Sequence, residues 1–218
     1  MKKFGLILAG GKGKRIGGNK PLKLLAGKPL LYWALNPYLQ LNIPILISVE
    51  SKEQKEVLKD SLEKYLGGTK KLEFIFDDKN FKNLGPLSGL YAAFNYIDVE
   101  ALLLVSAVDQ PLIKIDLLRY LLEETEKIKT PALVFEKEEE LEPLPGAYNT
   151  ILLSELKSFL TLSPRKSFKA FLSILQGKGL LATSVFWHKI DPKGKCFLNI
   201  NDLEELTKIE TCFFQKKT

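Results

Sequence analysis

The sequence predicts an α/β protein, a single-domain three-layer sandwich with a mostly parallel sheet, and three observations predict it. Short continuous apolar runs recur along the chain at residues 4–9, 43–49 and 101–108, the form taken by strands buried on both faces of a parallel sheet. Amphipathic stretches such as 52–66 and 115–128 alternate with them, which implies right-handed helical crossovers packed on both faces. The segments just after the apolar runs collect glycine, lysine and aspartate, and open sheets of this kind bind ligands at the carboxyl ends of their strands.

A chain of 218 residues is long enough for one substantial core, so one domain covering 1–218 is expected. The 32 basic and 26 acidic residues leave a net charge of +6, which favours anionic ligands mildly and falls short of a nucleic-acid-binding stripe. Cys196, Cys212 and His188 match neither a zinc site nor a disulfide framework. The first apolar run is too short for a signal peptide, and no run approaches a membrane span. A cytoplasmic protein with no nucleic-acid or membrane partner is expected.

In chain order, the strand at 4–9 runs into Gly10, Gly11, Gly13, Gly17 and Gly18, interleaved with Lys12, Lys14, Arg15 and Lys20. No acidic residue occurs among positions 1–49. Backbone that a ligand can approach closely, lined with cations, suits a polyanion such as a triphosphate. Residues 30–41 read as a helix interrupted near Pro37. The β-branched run 43–49 is the second strand, and 52–66 a helix with Val57, Leu58, Leu62, Tyr65 and Leu66 on one stripe, stopped by Gly67-Gly68.

A third strand at 72–76 ends at Asp77-Asp78, and Ser88 to about Ile97 forms a helix after the glycine-flanked stretch 85–90. The most hydrophobic strand, 101–108, ends at Asp109; Gln110-Pro111 breaks it, and 115–128 is a helix with Asp116 placed to cap it. A fifth strand at 131–135 leads into the acidic run EKEEELE, read as an exposed connection or hairpin. Residues 152–160 read as helix, the stretch from 163 as another helix start, 182–187 as a short strand, and 197–210 as an extended piece followed by a helix.

The basic loop fails both common phosphate fingerprints. Gly13 to Gly18 has P-loop glycine spacing but is followed by Asn19, and Gly11-x-Gly13 meets Ile16 where a dinucleotide fold has its third glycine. LAGGKGKRIGGNK instead resembles the L-A-[GA]-G-x-x-x-R-[ML]-G-x-x-K signature of nucleotidyltransferases, and among them the molybdenum cofactor guanylyltransferases, the molybdopterin-guanine dinucleotide biosynthesis protein A family. Four further motifs in the same order carry the resemblance: GPLSGL at 85–90, VDQPLI at 108–113, EPLPGAY at 142–148 and FLNINDLEEL at 197–206. Ile16 replaces the family's usual methionine, Val108 its cysteine, and Asp202-Leu203 its Thr-Pro; Ser48 stands where some members carry a nucleotide-contacting asparagine.

The resemblance implies a Rossmann-like fold of the nucleotide-diphospho-sugar-transferase type, and transfer of GMP from GTP to the phosphate of molybdenum-bound molybdopterin with release of pyrophosphate. It implies Mg²⁺ as cofactor with Asp109 as metal ligand. GTP and molybdopterin are the implied partners, with molybdoenzymes or their chaperones as further ones. Arg15, Lys20 and Asp109 would be catalytic. The nucleotide would be met by Leu8, Ala9, Gly10, Gly11, Lys20, Asp109, Gly85, Leu87 and Gly89, with either Asp77 or Asp78 reading the base.

Arg165 and Lys166, opening a helix with Ser167, would meet the acceptor's phosphate. Asn199 and Asn201 alternate in an extended segment, so they point to opposite sides and only one can face the ligand. Two other readings remain open at this stage: a cytidylyltransferase acting on molybdopterin or a small phosphorylated alcohol, and a nucleotide-binding protein without turnover.

Overall fold

The structure, a computed structural model, describes residues 1–11, 13–67 and 72–214, without the side chains of Lys14 and residues 212–214. Lys12 and Gly68 therefore lie outside the described residues. The chain opens with β1 (Lys2–Leu8), a small hairpin of β2 (Leu24–Leu25) and β3 (Lys28–Pro29), and α1 (Leu30–Leu41). Two crossovers follow: β4 (Ile45–Val49) and α2 (Lys52–Leu66), then β5 (Leu72–Phe76) and α3 (Pro86–Tyr96). Next come β6 (Ala101–Ala107), α4 (Ile115–Ile128) and the antiparallel pair β7 (Ala132–Lys137) and β8 (Glu140–Asn149). The remainder is α5 (Leu153–Leu162), α6 (Phe168–Gly177), β9 (Leu181–Ser184), the short α7 (Trp187–Ile190) and α8 (Leu203–Phe214).

The main sheet has the order β5-β4-β1-β6-β8-β7-β9, and every strand but β8 runs parallel to β1. Because side chains alternate along a strand, each strand feeds two cores. Ile7, Ile45, Ile47, Leu102 and Leu104 pack with α1, α2, α4 and α8 on one face. Leu6, Leu8, Leu46, Ile75 and Leu103 pack with α3, α5 and α6 on the other. This is the three-layer sandwich expected from the alternation of strands and helices.

Three local expectations are corrected. α1 runs unbroken through Pro37. A proline inside a helix costs about 3 kcal/mol, but the fully buried Leu31 and Leu35 beside it each contribute about 1.5–3 kcal/mol by leaving water, so packing outweighs the lost backbone bond. Asp116 does not cap α4: the N-cap position is Lys114, and Asp116 pairs with Arg119 one turn on. Residues 142–149, read only as a motif, are part of β8, an interior strand between β6 and β7. Pro143 and Pro145 obscured it, and the ladder accommodates them with an irregularity opposite Val134 and Phe135, the kind of position where a strand tolerates missing donors.

Elsewhere α2 is capped by the Ser51 side chain and ended by Gly67. Its predicted stripe narrows to the buried Leu58 and Leu62, with Val57 half exposed. β9 is shorter than its predicted run, and Trp187 opens α7.

Candidate active site

The carboxyl ends of β1, β4, β5 and β6 open onto one cleft of ≈ 610 Å³. Its placement follows from the register. Leu8 pairs with Ser48 and with Ala107, and Ser48 with Ile75, so the residues just beyond these pairs emerge at one level. From β1 the chain continues through Gly10 and Gly11 into the basic loop, which is stapled to the core by the fully buried Ile16 and closed by amide bonds from Ile16 and Gly18 to the Gly13 carbonyl. Arg15 and Lys20 line the cleft from this loop.

Lys20 and Asp109 meet on the β6 side of the cleft. The Lys20 ammonium lies 2.6 Å from Asp109 Oδ2 and donates to Asn201 Oδ1 at 3.2 Å. Both ionic side chains are largely buried, at 15% and 19% exposure, which makes the pairing necessary, since an uncompensated charge there is costly. Asp109 Oδ1 is buried and has no hydrogen-bond partner among the described residues. The Asn201 segment is brought to the end of β6 by the Ile200 amide, which donates to the Asp109 carbonyl. Glu205 accepts from the Asn201 amide at 2.6 Å, while Asp202 accepts from the Glu205 amide at 2.9 Å and starts α8.

The opposite wall comes from β4, β5 and α3. Ser48 donates to Asp77 Oδ1 at 3.2 Å, and both line the cleft. Burial pushes the Asp77 carboxyl above its ordinary value, the Ser48 hydrogen bond partly opposes this, the nearby charge of Glu50 adds to it, and Lys82 works against it. α3 sits against this wall at Gly89, where an added Cβ would stand 2.6 Å from both Leu8 Cδ2 and Ser48 Oγ. Gly85, with φ 63° and ψ −142°, occupies backbone space essentially restricted to glycine. The loop ahead of it is tied by Ser88, which accepts from the Leu84 amide and donates to the Phe81 carbonyl.

Leu8, Gly10, Gly11, Arg15, Lys20, Asp77, Gly85, Gly89, Asp109 and Asn201 thus share one cleft. Other expected site residues stand elsewhere. Ala9 is buried, and its carbonyl accepts from Gln54 Nε2 at 3.0 Å. Leu87 is fully buried in the core beneath α3. Asp78 caps the turn at Lys79–Phe81 by accepting from the Asn80 amide, so of the two neighbouring aspartates only Asp77 lines the cleft. Asn199 is exposed, with its amide toward the Phe197 carbonyl, as alternation with Asn201 requires.

Arg165 and Lys166 precede α6, whose N-cap is Ser167. They line a second cleft of ≈ 550 Å³ that shares Asn83, Gly85 and Pro86 with the first. Sequence reading missed the cleft positions of Glu50, Asn83 and Pro86. Glu50 follows directly on β4, so the rule that ligands meet strand carboxyl ends was a signal able to find it.

The oxygen set at the end of β6 suits a hard divalent cation. Asp109 offers an unpartnered buried oxygen and Asn201 an amide oxygen. The described residues contain no cluster of three or more His, Cys, Asp or Glu side chains that would form an all-protein cage. One or two carboxylates plus ligand phosphates and water is the arrangement favoured by Mg²⁺.

Residues 5–178 match the model of the MobA-like NTP transferase domain. The chain belongs to that family. A relative in Thermococcus sibiricus, described as a probable molybdenum cofactor guanylyltransferase, is 31% identical over 95% of this chain and 97% of its own length. One in Methanocaldococcus jannaschii with the same description is 29% identical over 93% and 95%.

The crystal structure of molybdopterin-guanine dinucleotide biosynthesis protein A from Archaeoglobus fulgidus superposes with a TM-score of 0.79 at 27% identity, covering 97% of this chain and 99% of that one. The 4-diphosphocytidyl-2C-methyl-D-erythritol synthase of Anaerococcus prevotii, at TM-score 0.72 and 12% identity over 98% and 96% of the chains, shares the fold. By its family match over residues 5–178 the chain is a nucleotidyltransferase. Among its described residues no helix is long and apolar enough to cross a membrane.

Proposed function

We propose that this protein transfers GMP from GTP to the terminal phosphate of molybdopterin, giving the guanine dinucleotide and pyrophosphate. The observation that carries the reading is one cleft holding Arg15, Lys20 and Asp109 at one end and Asp77 at the other. Triphosphate chemistry and base recognition then have separate, facing walls. The names and extent of the relatives support the same activity.

In this reading the base lies against the end of β1, where Leu8, Gly10 and Gly11 line the cleft. The Asp77 carboxylate accepts the two parallel N–H groups of the guanine amidine edge, a donor pair that cytosine does not offer. Gly85 and Gly89 leave room for the nucleoside. Arg15 and Lys20 neutralise the phosphates, and Lys20 stays close enough to Asp109 to hold charge balance during transfer. An oxygen of the acceptor phosphate attacks the α-phosphorus, a new P–O bond forms, and the bond to the β-phosphate breaks with its electrons leaving on pyrophosphate. The protein's part is positioning and charge stabilisation.

Asp109 and Asn201 would hold Mg²⁺, which when bound supplies charge neutralisation and polarisation at the phosphate oxygens. The neighbouring cleft, lined by Arg165, Lys166 and the start of α6, offers cations and the positive end of a helix to the acceptor's phosphate. Its shared wall with the nucleotide cleft lets donor and acceptor approach each other.

The test is a thermal-shift and turnover panel with GTP, CTP, UTP and ATP plus Mg²⁺, on the wild type and on Asp109→Ala. GTP is expected to give the largest shift and to be the only nucleotide turned over with molybdopterin, and Asp109→Ala to lose turnover. Preference for CTP, or an unchanged response in Asp109→Ala, would overturn the reading.

A further inference from the structure

The wall that carries Asp77 carries a second carboxylate. Glu50 lines the same cleft, one residue beyond β4. The parallel register Val49↔Phe76 puts Glu50 and Asp77 at the same level on neighbouring strand ends. Ser48 and Ile75, two residues earlier on each strand, pair directly, and Leu46 and Ile75 belong to the core on the α3 side. Alternation therefore carries Ser48, Glu50 and Asp77 along one face.

Two like charges this close are costly unless a ligand uses both, and they repel any base that presents acceptors to them. Unlike Asp77, Glu50 is exposed, so its carboxylate is available to a ligand. Its main chain is not free: the Glu50 amide donates to Gln54 Oε1 at 2.7 Å, and Gln54 Nε2 in turn donates to the Ala9 carbonyl. One glutamine amide thus locks Glu50 to the strand end against which the base is proposed to lie.

We infer that Glu50 is a specificity-determining residue of the nucleotide site, a second carboxylate that accepts the 2-amino N–H of guanine left over after Asp77 has taken the amidine pair. This rests on the GTP reading above. A guanine presents three N–H donors on this edge, and one carboxylate accepting two of them leaves the third without a protein acceptor. A purine that lacks the 2-amino group gives Glu50 nothing to accept, and a base with acceptors there meets two negative charges. Glu50 would therefore widen the separation of guanine from hypoxanthine that Asp77 begins with its single bond to the 2-amino group.

The experiment compares GTP and ITP, which differ only by that amino group, in binding to wild type, Glu50→Ala and Glu50→Gln by calorimetry in the presence of Mg²⁺. Wild type is expected to bind GTP at least tenfold more tightly than ITP. Glu50→Ala should weaken GTP by about tenfold, the scale of one hydrogen bond to a charged group, while leaving ITP within twofold, so that the preference narrows by about tenfold to what Asp77 alone supplies.

Glu50→Gln, which keeps an acceptor oxygen but loses the charge, should retain part of the preference. An unchanged GTP/ITP ratio in Glu50→Ala would overturn the assignment, as would equal weakening of both nucleotides, the signature of a general effect on the cleft. Failure of the underlying reading looks different: wild type would then show no preference for GTP over CTP, and Asp77→Asn would leave base selection unaltered.

Discussion

At the scale of single residues, the site is two charged clusters with opposite demands. Lys20 and Asp109 stabilise each other in a part-buried setting. Lys20→Ala leaves Asp109 as an unpaired carboxylate and should lower stability by about 1–3 kcal/mol, between the values for exposed and buried pairs. Adding Asp109→Ala should recover part of that loss in urea unfolding; a double variant no more stable than Lys20→Ala would show that the pair is not what holds this region. Asp77 works the other way, its proton held more tightly in the folded protein, chiefly by burial. Its protonated form contributes stability that is fully present below the ordinary aspartate value of 3.8 and is lost as pH rises through the raised folded value.

With the Asp77 carboxylate as the proposed reader of guanine, GTP affinity should fall on acidification at a higher pH than for an ordinary aspartate. Asp77→Asn should remove that acid limb from a titration of GTP affinity against pH, and an intact limb in the variant would assign it to another group. The sequence favoured Asp77 narrowly, as the first residue after the apolar strand, while counting back from Gly85 favoured Asp78. What separates them is that Asp77 shares a face with Ile75 and reaches Ser48, whereas Asp78 turns to the Asn80 amide, a matter of strand register that no count of residues contains.

At the scale of elements, what was legible followed from periodicity and what was not depended on neighbours. β1, β4 and β6 were visible as apolar runs because they lie inside the sheet, and β5, its edge strand, as an alternating one, and with them the level at which the site would open. β8 was hidden because its prolines argue against a strand, and only the flanking β6 and β7 make it one. The seat of α3 was half legible: glycines at 85 and 89 signalled close approach, but the atoms approached were not in the pattern. Gly89 sits where a methyl group would meet Leu8 and Ser48 at 2.6 Å. Gly89→Ala should therefore push α3 off the sheet, lower stability by about 1–3 kcal/mol and disturb the Ser48–Asp77 contact, weakening GTP binding as well. Denaturant midpoints and GTP affinity measured together check this; a loss of less than about 0.5 kcal/mol with normal binding would mean that the helix has slack there.

At the scale of the whole molecule, the cleft joins parts of the chain that are far apart in sequence. Lys20 and Asn201, which touch, are 181 positions apart. The far end of the chain is held by two separate ties: Ile200 and Glu205 fix Asn201 at the cleft, and Glu210 Oε1 accepts from the Ala26 amide in the β2–β3 turn. The first tie reaches the cleft and the second the scaffold, and linkage tests whether only the first serves ligand binding. A ligand at a hundred times its dissociation constant stabilises the folded state by about 2.7 kcal/mol. At about 2–4 °C per kcal/mol for a domain of this size, GTP with Mg²⁺ should raise the wild-type melting temperature by about 5–11 °C. Glu210→Ala removes a hydrogen bond worth about 1 kcal/mol, so the unliganded protein should melt a few degrees lower with the ligand increment preserved. Asn201→Ala should do the reverse, changing the unliganded melting temperature little and removing much of the increment. If Glu210→Ala abolished the increment too, the β2–β3 turn and α8 would have to be counted as part of the nucleotide site, because an anchor acting only on the folded scaffold shifts both melting curves by the same amount.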